Sequence, residues 1–467
     1  MTSQSKTPNV LYFLADNLGM GELSCYIGGP LRGATTSRID AFANEGLMLL
    51  NFAPETQCTP SRSALMTGRY SIRSGNQSVP YGGALGGLVK WERTMGDIFS
   101  DAGYSTAIYG KWHIGDSQGR WPTDHGFDEW YGIPRTYDES LWADDPYYDP
   151  KRDPVVHVIE GRKGQPVHEL EQLTVDVRRE IDAEYLKRAK AFLKRSTDAD
   201  QPFFLYFNHS LLHFPTIARS EFKGKSGHGE WADCLLELDS DFGELLDCLK
   251  ELGVADNTIV VFSGDNGADE FAPTHVRGAS GYFDGTLFTG MEGSLRTPAL
   301  VRYPGHVPAG QRSNAVVHIT DMFSTLLLWA GLAVPKDRVI DGEDQRAFFE
   351  GKQADSSREG FPFWMGSELY GVKWRNFKMV LAIQRTLSDP ALRLPTPRLI
   401  NLDTDPRECE PFDYPYIHTW VATHTEKILM EFEQSLQREP LIPVGAPLDY
   451  VPKGGGPDVE KKLRPAA

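Results

Sequence analysis

The sequence predicts an α/β fold of buried parallel strands joined by helical crossovers, followed by a smaller C-terminal α+β subdomain. Three observations predict it. Short apolar runs end in Gly, Asp or Asn, segments of helical periodicity lie between them, and the pattern changes character after about Ser356.

The apolar runs come first. Asn9 to Ala15 precedes Asp16, Tyr104 to Tyr109 precedes Gly110, Pro202 to Phe207 precedes Asn208, and Thr258 to Ser263 comes just before Asp265. Each candidate functional residue thus follows a run, at the carboxyl end of a strand, where open parallel sheets bind ligands. The crossovers are Ser37 to Glu45, Thr94 to Ala102, Val175 to Lys194 and Trp231 to Leu252, the last stopping at Gly253. The Pro-, Tyr- and Asp-rich stretch from Tyr137 to Asp153 has no periodicity and reads as a long surface insertion placed to line a substrate entrance. Beyond Ser356, Gly371 to Gln384 and Arg398 to Leu402 read as strands and His418 to Leu436 as an amphipathic helix. The expected division is a catalytic α/β domain over 1–355, a small subdomain with antiparallel sheet and helix over 356–442, and an extended tail over 443–467.

Charge narrows the partners. With 64 Asp and Glu against 48 Lys and Arg the formal charge is -16, which repels polyanions and leaves no nucleic-acid footprint. An anionic small substrate therefore needs its own basic pocket. The start, Met1 to Asn9, is polar, and Val10 to Ala15 is too short to span a bilayer, so the expectation is no membrane partner and a cytoplasmic location. The five cysteines, Cys25, Cys58, Cys234, Cys248 and Cys409, are odd in number and form no CxxC pair, which reads as free thiols in a reducing compartment. Oligomeric state is not written in the sequence.

Only Cys58 has a suggestive context. In Cys58-Thr59-Pro60-Ser61-Arg62, Pro60 fixes the turn entering a helix, so Cys58 sits where free N–H groups and the helix dipole favour negative charge, with Arg62 one turn later. A structural cysteine at a helix start fits the same local pattern. The segment continues to Thr67-Gly68-Arg69, and CxPSR followed by TGR resembles the signature of the type I formylglycine-dependent sulfatases of the alkaline phosphatase-like superfamily. Other segments carry the resemblance further. Asn9 to Gly21 resembles the family's first strand and metal loop, Gly110-Lys111-Trp112-His113-Ile114-Gly115 its GKWHLG motif, Phe262 to Gly267 its FTSDNG motif, and Glu292 to Pro298 its EGGxRxP motif. Asp341-Gly342, Asn401-Leu402 and Asp405-Pro406 are weaker matches.

The resemblance implies a large mixed, mostly parallel sheet sandwiched by helices. It implies that a formylglycine-generating or equivalent maturation enzyme converts Cys58 to 3-oxoalanine (formylglycine), and that a small-molecule sulfate ester is attacked by a hydroxyl of the aldehyde hydrate. It also makes modified Cys58 a metal ligand. Asp16, Asn17, Asp265 and Asn266 bring hard oxygens in two pairs from two strand ends, a set suited to one divalent cation, calcium first, with magnesium or manganese as alternatives. Where the family has a second aspartate this chain has Asn17, which keeps a carbonyl ligand and removes a charge, or lies outside the coordination sphere. Lys111 and His113 alternate along an extended segment, which puts both on one face. By resemblance Lys111 binds sulfate, His113 takes a proton from the second hydroxyl, and His213 hydrogen-bonds or protonates near the leaving oxygen. Arg62 orients the diol. His209 reads as structural or as a support behind the residues that touch substrate.

A second departure is Leu287, where many members carry a lysine contacting sulfate and leaving group. Arg277 and His275 are the candidates to replace it; otherwise the substrate has a good leaving group, as aryl sulfates do. Sulfate monoester hydrolysis is the leading expectation. The same apparatus serves relatives that cleave phosphodiesters or phosphonate monoesters, and Asn17 with Leu287 also fits a metal-binding homologue without catalysis.

Overall fold

The computed structural model describes residues 7–80, 86–409 and 417–453. In chain order the strands of the large sheet are β1 (Asn9–Ala15), β2 (Leu47–Ala53), β3 (Ser105–Gly110), β4 (Glu129–Gly132), β5 (His157–Arg162), β6 (His168–Gln172), β7 (Phe203–His209), β8 (Thr258–Gly264), β9 (Thr297–Arg302), β10 (Gln311–Ser313) and β11 (Val317–His318). A second sheet holds β12 (Gly360–Met365), β13 (Glu368–Trp374), β14 (Phe377–Ile383) and β15 (Leu392–Asn401). The helices are α1 (Ser37–Asn44), α2 (Cys58–Thr67), α3 (Met95–Asp101), α4 (Val175–Asp198), α5 (Glu230–Glu251), α6 (Glu292–Leu295), α7 (Ile319–Trp329), α8 (Arg346–Phe349) and α9 (Ala422–Arg438).

The large sheet runs β10-β2-β9-β8-β1-β7-β3-β4-β5-β6, with β11 also paired to β2. Its centre is parallel: β1 lies between β7 and β8, and β3 between β7 and β4. β9 enters antiparallel between β2 and β8, and β4, β5 and β6 form an antiparallel edge, so the sheet is mixed. The continuous apolar run of β1 follows from its place at the centre, because both of its faces are covered. Leu11, Phe13 and Ala15 face the layer of α4 and α5, while Val10, Tyr12 and Leu14 face that of α2, α3 and α7. Phe13 stacks on Phe207 and Phe262 of the adjacent strands at 5.2 and 5.3 Å, and Phe242 of α5 meets it edge-on at 5.1 Å.

The antiparallel sheet has the order β12-β13-β14-β15. The expected single strand Gly371 to Gln384 is in fact part of a hairpin, because Arg375 takes a left-handed turn (φ 51°) between β13 and β14. This sheet is joined to the large one by buried ion pairs. Glu292 Oε2 meets Lys373 Nζ at 2.6 Å and Arg296 Nη2 at 2.8 Å, while Lys378 Nζ meets Glu408 Oε1 at 2.7 Å. Burial alone would raise the Glu292 carboxyl; Lys373, Arg296 and Lys378 more than reverse this. The glutamate of the EGG-like motif is therefore a joint between sheets. After α9 the chain returns to the large domain, where Ile442 N donates to Arg73 O and Lys90 N to Leu448 O, both at 2.9 Å. Residues 454–467 of the expected tail lie outside the described residues. Among the described residues no helix is long and apolar enough to cross a membrane.

The loop leading to α2 is held by Glu55, whose Oε1 accepts from Ser71 N at 3.0 Å. Burial pushes this carboxyl from 4.5 up to about 7. A raised acid contributes stability below its unfolded value and loses it as pH rises through the folded one, here about 3 kcal/mol. Glu55→Gln, which keeps the acceptor, is expected to flatten the fall in thermal midpoint across that window. An unchanged slope in calorimetry would refute the assignment.

Candidate active site

The expected residues arrive at the carboxyl ends of adjacent parallel strands. β1 delivers Asp16 and Asn17, β3 is followed by Lys111 and His113, β7 by His213, and β8 by Asp265 and Asn266; Cys58 is the first residue of α2. Asn17 has φ 56°, a region that asparagine tolerates better than most side chains. His113 also has positive φ (61°), so the chain has left the strand geometry after Gly110 and the expected alternation of Lys111 and His113 does not apply.

Arg62, fully buried, is the hub. Its Nη2 donates to Asp265 Oδ2 at 2.8 Å and to Asp16 Oδ2 at 3.1 Å, and its Nη1 donates to the Lys111 carbonyl at 2.9 Å. Lys111 Nζ donates to Asp16 Oδ2 at 3.0 Å, and Asn17 N to Asp265 Oδ1 at the same distance. Cys58 Sγ lies 3.8 Å from both Asp16 Oδ1 and Asn17 Oδ1. Asn266 Nδ2 donates to Asn17 Oδ1 at 2.7 Å, which puts the Asn17 side chain inside the cluster.

Burial, reinforced by Asp265 and Asp16, pushes the Cys58 thiol well above its ordinary range, so the encoded sulfur stays protonated. Burial would likewise raise Asp16, but Lys111, His213 and Arg62 hold it low. Its neighbour Asp265 is pushed up to about 6 by burial and by Asp16. Burial, together with Lys111 and Arg62, keeps His113 neutral, as a proton acceptor must be. Both His113 ring nitrogens are buried without a hydrogen-bond partner, beside a cavity of about 240 Å³ that Thr59, Asp116 and Arg135 also line. Burial and Lys111 also push His213 down, opposed by Asp16, Asp138 and Asp269.

The remaining candidates fall elsewhere. His209 bonds Asp241 Oδ2 at 3.1 Å inside the core, consistent with a structural role. His275 and Arg277 are exposed, and the Arg277 guanidinium donates to Ala272 O. Leu287 is buried. The Tyr137 to Asp153 stretch is only partly a surface loop: it begins with a 3-10 helix, Tyr137–Asp144, that buries Tyr137, Glu139 and Ser140. Its residues were missed as site components because their partners, Lys111, Arg178 and His213, come from other parts of the chain. Arg178 Nη2 donates to the carbonyls of Ser210 and His213 at 3.3 and 3.2 Å, and Asp182 Oδ1 accepts from Ser210 N at 2.9 Å. These contacts hold the His213 loop, and no local motif signals them.

The donors around Cys58 fit a hard divalent cation. Asp16, Asn17, Asp265 and Asn266 offer side-chain oxygens, and Asn266 Oδ1 is buried with no partner. The two fully buried carboxylates are balanced by the Arg62 guanidinium and the Lys111 ammonium, and with the Asn17 and Asn266 carbonyls they make an all-oxygen donor set of the kind a hard divalent cation takes.

A mixed, mostly parallel sheet with an acidic cluster at its strand ends and a separate four-stranded sheet defines the alkaline phosphatase-like class. Residues 8–332 match the family model described as Sulfatase, and residues 278–412 match N-sulphoglucosamine sulphohydrolase, C-terminal. The chain is 38% identical over 347 residues to N-acetylgalactosamine-6-sulfatase of Homo sapiens, covering 72% of this chain and 64% of that protein. It is 31% identical over 436 residues to human arylsulfatase A, covering 86% and 83%. The PsFucS1 sulfatase from Pseudoalteromonas sp. superposes with a TM-score of 0.88 at 29% identity over 94% of this chain and 92% of that one. The chain belongs to the sulfatase family. It spans 64–66% of the length of the N-acetylgalactosamine-6-sulfatases it matches.

Proposed function

We propose that this protein hydrolyses sulfate monoesters to alcohol and sulfate, with Cys58 converted to formylglycine by a maturation enzyme and a divalent cation, calcium first, held by Asp16, Asn17, Asp265, Asn266 and modified Cys58. The observation that carries the reading is Cys58 itself. It opens α2, is buried 3.8 Å from Asp16 and Asn17, and has a thiol too basic to ionise, so its environment suits a hydroxyl at that position better than a thiolate. Formylglycine hydrate supplies such a hydroxyl, and the cation supplies Lewis-acid stabilisation of a sulfate oxygen.

The chain's own residues do the rest. Lys111, charged and beside Asp16, binds a sulfate oxygen. Arg62 orients the group at position 58 while tying Asp16 to Asp265. His113, neutral and without a partner, takes a proton so that sulfate can depart, and His213 serves the leaving oxygen. With Leu287 in place of a lysine, aryl sulfates are the substrates that need least help at that oxygen. Five unpaired thiols support a reducing compartment and hence the cytoplasm.

The named relatives act on sulfates, which favours this reading over phosphodiester or phosphonate hydrolysis and over an inactive homologue. The discriminating measurement is the ratio of kcat/KM for 4-nitrophenyl sulfate to that for bis(4-nitrophenyl) phosphate. A ratio well above one is expected; a ratio below one would overturn the proposal.

A further inference from the structure

Leu287 brings no charge to the leaving-group side, but positive charge is gathered just beyond it. Gly285 and Met291, which flank Leu287 in the chain, line a groove of about 640 Å³. Four arginines from separate parts of the chain also line it. Arg32 comes from the segment after β1, Arg277 from the loop after β8, and Arg385 and Arg407 from the segments after β14 and β15. The groove wall reaches the candidate active site. Leu287 N donates to Ala268 O at 3.2 Å, Phe288 N donates to Thr56 O at 3.0 Å, and Glu270 of the groove directly follows Asp269, whose charge acts on His213. The groove thus lies on the His213 side.

The guanidiniums there are weakly committed. Among the described residues Arg277 pairs with no carboxylate; its Nε donates to the Ala272 carbonyl at 3.4 Å. Arg385 and Arg407 share Asp284, at 3.7 and 2.9 Å, and both are well exposed. Arg32 meets Glu22 at 3.0 Å and donates to the Arg277 carbonyl, which ties the two loops together. Even with Glu22, Glu270 and Asp284 all ionised, four cations face three anions, in a chain whose formal charge is -16. Such a groove concentrates positive potential on an otherwise negative protein. Exposed ion pairs are worth only about 0–1 kcal/mol, so an incoming oxyanion exchanges into them at little cost. The arginine fork matches the oxygens of a sulfate or carboxylate.

We propose that this groove is a subsite for the alcohol half of the ester, where Arg277, Arg385 and Arg407 bind a further oxyanion, a second sulfate or a carboxylate. This rests on the sulfatase reading and names a substrate class for it: sulfate esters whose alcohol carries additional negative charge. Binding energy gathered in the groove holds such an ester in register with the reacting centre, which offsets the charge that Leu287 does not supply. An ester without a second anion, such as 4-nitrophenyl sulfate, leaves these arginines on Asp284 and the Ala272 carbonyl.

The test compares kcat/KM for a panel of disaccharide monosulfates with their disulfated and uronate-bearing counterparts, with 4-nitrophenyl sulfate as reference. Wild-type protein is expected to favour at least one ester with the second anion by on the order of 10-fold at low salt, the preference shrinking as ionic strength rises. Arg277→Gln and Arg407→Gln are each expected to remove most of that preference through KM and to lose far less on 4-nitrophenyl sulfate. Both side chains are exposed, so the fold tolerates the changes. Calorimetric titration of the preferred disaccharide into wild-type and variant protein reads the groove independently of turnover. No preference across the panel, or equal losses on every ester in the variants, would dismiss the subsite and leave the sulfatase reading standing. Inorganic sulfate bound through the same arginines as tightly as the disaccharide would likewise dismiss it, in favour of a site for the free anion. Wild-type protein inert toward every sulfate ester would bring down the sulfatase reading and the subsite together.

Discussion

Cys58→Ala lowers sulfate-ester turnover on the order of 10⁵-fold or more, the scale seen when a nucleophile is removed, and leaves the fold intact. The fold survives because the side chain is small and its sulfur makes only 3.8 Å contacts with Asp16 and Asn17, so the loss is about 1 kcal/mol. The environment of Arg62, Lys111 and the two aspartates does not depend on the sulfur. Steady-state assays with 4-nitrophenyl sulfate, thermal midpoints and peptide mass spectrometry across position 58 check the three parts. Wild-type activity from protein whose Cys58 is wholly unmodified would refute the formylglycine mechanism, and an active alanine variant would refute any nucleophile there.

Removal of the cation by a chelator is the second large effect, with turnover falling on the order of 10³-fold and calcium restoring it. Its pH dependence follows from Asp265. In the cation-free protein burial and Asp16 raise this carboxyl from 3.8 to about 6. Its protonation therefore contributes stability at low pH that is lost as pH rises through about 6, on the order of 3 kcal/mol. Asp16 is held below its ordinary value, so its contribution is already constant in that range. A cation held there, as proposed, would take over the role of the proton on Asp265. The gap in thermal midpoint between calcium-loaded and chelated protein therefore widens from about pH 5 to about pH 7. Glu55 titrates in the same window but in both forms, so it cancels from the gap. A gap that narrows as pH rises would remove Asp265 from the cation site.

Much of this site was legible in the chain because its residues sit where buried strands end. The apolar runs before Asp16 and Asp265 became β1 and β8, and Cys58 opens a helix as Pro60 requires. Other expectations failed for local reasons. The strand alternation assigned to Lys111 and His113 gave way to a left-handed backbone at His113, and the strand drawn through Arg375 became a hairpin at a similar left-handed residue. A pattern of apolar and polar residues does not register a single positive φ at a non-glycine residue.

What the sequence determined by itself was the parallel centre of the sheet, the motif residues at its strand ends and the oxygen-rich donor set. Burial on both faces demands continuous apolar runs, and cation chemistry demands particular side chains; both leave marks in consecutive residues. Tertiary structure decided how those residues are held. Thr136 meets His213 across 77 positions, and Glu292 meets Lys373 across 81. In these pairs Thr136 and Lys373 look like an ordinary turn threonine and a solvated lysine until the chain is folded. Desolvation then makes the pairing count: a buried charge or imidazole without its partner is costly, and that cost exists only once the sheet and its covering layers have excluded water.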